Sequence, residues 1–363
     1  MSKRIVIVGG GYLGAELAKA LENDAQVTLV EQADHFVHAP AMIRAVVDPA
    51  LLDRALIPYD RLLSNGEVLH GRVTEVDHAG VTLSDGRRVE GDYIVLATGS
   101  THISPFKPVG GDIEALRQAN RQVHEQLLHA RSVVIVGSGA VGIELAGEIA
   151  HAMPEKKIML LSDKQALLPE MPRKLGRSLE AKLRAEGVEI VFGARAANLQ
   201  STSEPHAGTI QLDNGQSISA DIVFPAIGSK ANSSLLEMLP DVRKTAAGRI
   251  ATDGWMRPSS LENVFAAGDV AENGDAMTIV AIARQLPWLT KTLKGLVSGK
   301  NLVDMKPYSP WKKAPILLPL GPHKGSSFLV LFTAGNWVTS KIKGLDLFLT
   351  KYNKSFGRNQ SAS

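Results

Sequence analysis

The stretch Ile5-Val6-Ile7-Val8-Gly9-Gly10-Gly11-Tyr12-Leu13-Gly14 decides the fold. A short β-branched run closed by glycines reads as a buried strand and its turn, and the helix formers from Ala15 to Leu21 continue it as a helix. A second strand, Val27 to Val30, ends on Glu31, which completes a βαβ unit. Gly9-x-Gly11-x-x-Gly14 lies between strand and helix, and Glu31 follows Gly9 by 22 positions. This spacing is a dinucleotide fingerprint. The first glycine makes the turn, the second lets backbone N–H groups approach a pyrophosphate at the positive helix end, and the third lets helix pack on strand. Glu31 is placed to accept hydrogen bonds from ribose hydroxyls.

Further along, the pattern recurs. Val133 to Val136 runs into Gly137-x-Gly139-x-x-Gly142, a helix from Ile143 to about Ala152 and a strand from Ile158 to Leu161, with the two openings 128 positions apart. Here the second strand ends in Ser162-Asp163-Lys164. Ser162 suits a ribose hydroxyl or a 2′-phosphate, Lys164 would neutralise the phosphate and Asp163 would oppose it, so NADH is expected, with NADPH tolerated. Short strands are expected over Val68–Asp77, Gly80–Leu83 and Arg88–Val95 in the first unit, and over Thr209–Leu212 and Ile222–Pro225 in the second. Tyr93 to Gly99 and Asp221 to Gly228 close the two units in similar fashion.

Composition bounds the chemistry. At 363 residues, 44% hydrophobic and 21% charged, the chain reads as an ordinary α/β protein of more than one domain. The absence of cysteine excludes disulfides, thiolate nucleophiles, Cys-ligated zinc, iron–sulfur clusters and a redox CxxC pair. Met-Ser-Lys-Arg opens without a signal pattern, and no apolar run approaches the ~18–20 residues of a membrane span, so a cytoplasmic location is expected. His35 and His38 flank an apolar loop without a third ligand, and no metal is expected. Trp255, Trp288, Trp311 and Trp337 read as packing residues, and Ser138 lacks a nucleophile-elbow context.

Two fingerprints imply two dinucleotides facing one another, a flavin and a nicotinamide exchanging hydride. On these motifs, with Thr98-Gly99 and Gly268-Asp269, the sequence resembles the two-dinucleotide-binding-domain flavoprotein family. The resemblance implies an α/β fold with two Rossmann-like domains, glutathione-reductase-like, plus a small C-terminal α+β domain. The FAD-binding domain would comprise residues 1–107 and 229–299, the NAD(P)H-binding domain 108–228 and the C-terminal domain 300–363. It further implies that FAD is held by Gly9, Gly10, Gly11, Tyr12, Leu13, Gly14, Glu31, Thr98, Gly99, Gly268 and Asp269. NAD(P)H falls to Gly137, Gly139, Gly142, Glu144, Ser162 and Lys164.

Without cysteine, the disulfide-reductase and peroxidase branches are excluded. There remain type II NADH:quinone oxidoreductases, ferredoxin or rubredoxin reductases, and apoptosis-inducing-factor-like proteins. Asp34 to Ala45, Val141 to Glu148 and Leu345 to Phe348 resemble the last group, which includes the ferroptosis suppressors. By that resemblance Arg44 contacts FAD near its diphosphate, Val73 touches the adenine end and Glu144 lies at the flavin–nicotinamide contact as the catalytic candidate. A guanidinium also has its own rationale as a phosphate ligand. Glu148, one turn beyond Glu144, reads as a surface or helix-packing carboxylate.

The expected activity is FAD-dependent NAD(P)H:quinone oxidoreduction, with hydride passing to flavin N5 and electrons then to a lipophilic, ubiquinone-like quinone at a membrane surface. A helix beginning near Ala276-Met277-Thr278 would aim its dipole at the flavin. Residues 291–363 hold twelve basic groups against Asp304 and Asp346, a net +10 inside a whole-chain charge of +3. Ile316 to Leu318, Phe328 to Phe332, Trp337 and Leu345 to Leu349 interleave there with Lys312, Lys313, Lys324, Lys341, Lys343, Lys351 and Lys354. That texture suits peripheral attachment to anionic lipid or a homodimer interface. A ferredoxin or rubredoxin as acceptor is the alternative; a nucleic-acid-binding role is the third reading, and no specific nucleic acid is expected.

Overall fold

The computed structural model describes residues 2–358. Two five-stranded sheets dominate it. The first orders its parallel strands Val264–Ala266, Tyr93–Leu96, Arg4–Val8, Gln26–Glu31 and Glu67–His70. The second orders Glu189–Phe192, Lys157–Ser162, Ser132–Val136, Ser217–Phe224 and His206–Gln211, of which only the last runs antiparallel.

The hydrophobic runs explain both. A parallel sheet covered on both faces needs apolar residues at every position of its central strands. Ile5, Ile7, Leu29, Val95 and Phe265 point into one core. Val6, Val8, Val30, Ile94 and Leu96 point into another. In the second sheet Val133, Ile135, Ile158 and Leu160 face one side, and Val134, Val136 and Leu161 the other.

Two expected strands are each broken in two. Val68–Asp77 divides at Gly71-Arg72 into Glu67–His70, which joins the first sheet, and Val73–Asp77, which joins an antiparallel meander with Gly80–Leu83 and Arg88–Glu90. Arg88–Val95 divides at Gly91-Asp92, where the Arg4 amide donates to Asp92 (2.7 Å) and the chain drops into the sheet. The helix Ile113–His129, capped by Asp112, is not among the elements the sequence predicts.

The chain passes between the units through the strand Ser100–Thr101, paired antiparallel with Lys230–Ala231. After the helix Ile279–Val297, whose N-cap is Thr278, the tail lies across both units. Its strands Ile316–Leu320, Lys324–Phe328 and Thr333–Ala334 form an antiparallel sheet on the helix Ala140–Ala152. Gly147 makes this possible, because a Cβ there would come within 2.6 Å of the Leu320 Cα. Leu318, Leu320, Phe328, Leu347 and Leu349 join the second unit's core. Tyr352 and Phe356, in and just after the helix Leu349–Ser355, join the first unit's core and pack on Phe36, Tyr352 stacked with ring centroids 5.6 Å apart and Phe356 tilted at 4.6 Å. Much of the apolar tail is therefore core, which corrects its reading as lipid-facing surface. No helix among the described residues is long and apolar enough to cross a membrane.

Candidate functional site

The two glycine turns have one geometry. Gly9 and Gly137 adopt φ of +104° and +113°, and a Cβ on either would strike the carbonyl of Ala97 (2.4 Å) or Ala226 (2.2 Å) on the neighbouring strand. Gly14 and Gly142 lie where a Cβ would sit 1.8 and 2.0 Å from the Gly9 and Gly137 carbonyl oxygens. Gly11 and Gly139 differ: a Cβ there would meet nothing within 4 Å. Each is also the N-cap of its helix, Tyr12–Leu21 or Ala140–Ala152, with no side-chain cap. Both helices thus present uncapped N–H groups and positive dipole ends over a bare glycine, which fits a pyrophosphate.

Around the first turn, Glu31 accepts the Gly10 amide and the Ala33 amide (2.9 Å). A carboxylate offers about four acceptor positions, so roughly two remain for ribose hydroxyls. Tyr59, which the sequence did not single out, donates to the Gly10 carbonyl (2.7 Å) and closes the turn from below. Tyr12 accepts the Ala39 amide (3.0 Å) and reaches His38 Nδ1 (3.1 Å). Because His38 Nε2 faces the Leu347 carbonyl, it is the ring's donor and Nδ1 accepts from Tyr12. Burial pushes the His38 pKa down to about 4, so the ring is neutral at physiological pH. His35 instead contacts Asp34 (2.7 Å).

Thr98 and Gly99 are clasped by Asn232, which accepts from Thr98 Oγ1 through its carbonyl (2.8 Å) and donates to the Gly99 (2.9 Å) and Thr98 (2.9 Å) carbonyls. Gly268, at φ +78°, donates to Gln285 (2.8 Å). Next to it Asp269 accepts from Ser100 Oγ (2.6 Å), and Lys107 donates to the Ser100 carbonyl (2.8 Å) and hydroxyl (3.0 Å). Burial lowers the Lys107 pKa against the opposing pull of Asp269. Val73 begins the meander, opposite Leu83.

In the second unit Ser162 is buried, its hydroxyl shared with Ser138 Oγ (2.6 Å) and the Lys164 amide (3.1 Å). Lys164 and Asp163 are exposed and pair with each other at 3.3 Å. Glu144 is buried and bonded to Lys343 (2.6 Å), which also donates to the Leu317 carbonyl (3.1 Å). Burial pushes the Glu144 carboxyl above the usual range, and the Lys343 ammonium pulls it back. Lys343 sits in the π-helical turn Ser340–Gly344, a distortion that recurs at functional sites. It points inward and does not belong to the outward-facing lysines. Arg44 is likewise no solvated helix charge, and Glu148 no surface one: Arg44 Nε and Nη2 donate to Glu148 Oε2 and Oε1 at 2.8 and 2.9 Å, both residues buried.

Of the tryptophans, Trp255 and Trp288 bond the carbonyls of Met305 and Lys306, but Trp337 is 75% exposed, against expectation. Leu331 (91%), Phe332, Ile342 and Leu345 are the tail's other strongly exposed apolar side chains in this region.

Two Rossmann sheets with matched, uncapped glycine turns define a flavoprotein reductase that uses two dinucleotides. The profile of the pyridine nucleotide-disulphide oxidoreductases matches residues 46–285, and a second profile of the same description matches 4–54. The chain belongs to the pyridine nucleotide-disulphide oxidoreductase family. It is 30% identical to apoptosis-inducing factor homolog B of Dictyostelium discoideum, over 96% of both chains. It is 27% identical to human ferroptosis suppressor protein 1, over 95% of this chain and 94% of that one. Among solved structures, NDH2 from Plasmodium falciparum in complex with NADH superposes with a TM-score of 0.75 over 99% of both chains at 13% identity. The putidaredoxin reductase–putidaredoxin complex gives 0.69 at 21% identity, over 90% of this chain and 80% of that one. The protein is an FAD-dependent NAD(P)H oxidoreductase, and with no cysteine it cannot run the dithiol chemistry in its family's name.

Proposed function

We propose that this oxidoreductase passes electrons from NAD(P)H to a lipophilic quinone at a lipid surface. The supporting observation is the Glu144–Lys343 pair. Lys343 lies on the inner side of a tail segment whose outer side exposes Trp337, Ile342 and Leu345. An apolar acceptor arriving at Ile342 would be only one turn of chain from the lysine that bonds a buried carboxyl. Outward-facing Lys341, Lys351 and Lys354 add affinity for anionic headgroups. The relatives include a ferroptosis suppressor and the fold neighbours an NADH-bound NDH2, in keeping with this reading.

In this reading the amides from Gly9 to Gly14 hold the FAD pyrophosphate, Glu31 the adenosine ribose, Val73 the adenine end, Arg44 the diphosphate, and Thr98, Gly99, Gly268 and Asp269 the remainder. Gly137, Gly139 and Gly142 hold the nicotinamide dinucleotide, with Ser162 and Lys164 at its ribose end. Because the Ser162 hydroxyl is internally bonded and Lys164 is paired to Asp163, nothing here selects a 2′-phosphate, and NADH is preferred with NADPH tolerated. Bound FAD supplies the two-electron chemistry between nicotinamide and acceptor. Quinone reduction also consumes protons. In the Glu144–Lys343 pair the ammonium carries a proton at Nζ, 2.6 Å from the Glu144 carboxylate, and is the group that would supply it.

The test is steady-state NADH turnover with a short-chain ubiquinone against turnover with a one-electron protein acceptor such as a ferredoxin or rubredoxin. Quinone should support turnover; reduction of the protein acceptor alone would refute the proposal in favour of a ferredoxin-type reductase.

A further inference from the structure

The helix Ala140–Ala152 carries two buried carboxylates one turn apart, and each takes a cation from another part of the chain. Glu144 meets Lys343 of the tail, and Glu148 meets Arg44, which lies on the helix Ala39–Ala45 of the first unit. The second pair has a specific geometry. Glu148 grips the guanidinium along its side-on edge, through Nε and Nη2. The end-on edge is left over: Nη1 reaches no hydrogen-bond partner among the described residues. A guanidinium can bind one anion on each edge, and a carboxylate on the first fixes the plane in which the second presents itself. The Arg44 helix is also anchored to the first glycine turn, since Tyr12 accepts the Ala39 amide.

We infer that Glu148 is a positioning residue for the flavin diphosphate. It orients Arg44 from across the unit boundary, so that the nicotinamide-binding unit helps retain the flavin. The inference rests on the reading that Arg44 contacts the FAD diphosphate. A buried ion pair that merely joined two units would stabilise the apoprotein and leave flavin affinity to other groups.

The experiment is titration of FAD into flavin-free protein, followed by quenching of flavin fluorescence, for the native chain, Arg44→Gln, Glu148→Gln and the double variant. Each single change should weaken FAD binding about tenfold or more, as loss of an outer partner of a ligand-holding side chain does elsewhere. The double variant should bind no worse than Arg44→Gln alone, because Glu148 acts only through Arg44. Unchanged affinity in Arg44→Gln would overturn the reading on which this rests. A loss in Arg44→Gln with none in Glu148→Gln, or losses that add in the double variant, would overturn the role of Glu148 alone. Should Glu148→Gln fail to fold, Glu148→Asp keeps the charge but withdraws it from the two-point contact. It should weaken FAD binding while apoprotein melting stays close to native, and native FAD affinity in that variant would count equally against the role.

Discussion

Replacing Lys343 with Met removes the ammonium while keeping most of the side chain's length, and leaves Glu144 buried without its cation. At 2.6 Å and an effective dielectric of about 20, the attraction is about 6 kcal/mol before the cost of burying both charges is subtracted. The net loss on breaking such a pair is about 3–5 kcal/mol, and the Leu317 carbonyl loses a donor as well. The loss should depend on pH. Burial already raises the Glu144 pKa above its ordinary 4.5, and removing Lys343 raises it further. A carboxyl bound to its proton more tightly in the folded than in the unfolded state costs nothing below its ordinary pKa, and lowers stability progressively as pH climbs through the raised one. The deficit of Lys343→Met against the native chain should therefore be small near pH 4.5 and grow towards neutrality. Urea midpoints across that range measure it, with Glu144→Gln/Lys343→Met recovering most of the loss. A deficit equal at both ends of the range, or below about 1 kcal/mol at neutral pH, would show that the pair is not the coupled buried unit described.

Gly14→Ala should destabilise the apoprotein by about 3 kcal/mol or more, because the new methyl collides with the Gly9 carbonyl. Gly11→Val should leave the apoprotein's melting near native and reduce retained flavin, read from visible absorbance, since its side chain projects into free space at the helix end. His38→Gln should flatten the acid side of the stability curve. With its pKa lowered to about 4, His38 favours folding fully above its ordinary 6.5 and loses that contribution as pH falls towards 4, a change of about 3 kcal/mol seen in urea midpoints. Leu331→Glu with Phe332→Glu should cut co-sedimentation with anionic vesicles about tenfold or more while flavin content is unchanged.

What the sequence disclosed was whatever is written locally. Gly9 to Gly14 and Gly137 to Gly142 show strand, turn and helix within a dozen residues, and both turns stand where the spacing put them. The breaks at Gly71 and Gly91 carry no proline and no Asn-Gly or Asp-Gly dipeptide to mark them; only the sheets show that the chain changes partners there. Ile113–His129 is amphipathic but carries no fingerprint that ties it to the glycine turns. The site's pairings were beyond reach for another reason. Glu144 and Lys343 are 199 positions apart, Arg44 and Glu148 are 104 apart, and Thr98 and Asn232 are 134 apart. Residue types announce that such charges need partners, but only the folded path chooses them. Lys343 was visible among the tail's lysines, and nothing in its neighbours distinguishes an inward lysine from an outward one. Tyr59 carried a weak signal, a lone aromatic after the short strand Leu56–Pro58, with no motif to connect it to Gly10.

The packing of Tyr352 and Phe356 on Phe36 bears on how the protein comes to exist. Chains fold largely as they leave the ribosome, at about 5–20 residues per second. Phe36 emerges more than 300 residues before its partners, so for roughly 15–60 s of synthesis the first unit carries an aromatic face with nothing to cover it.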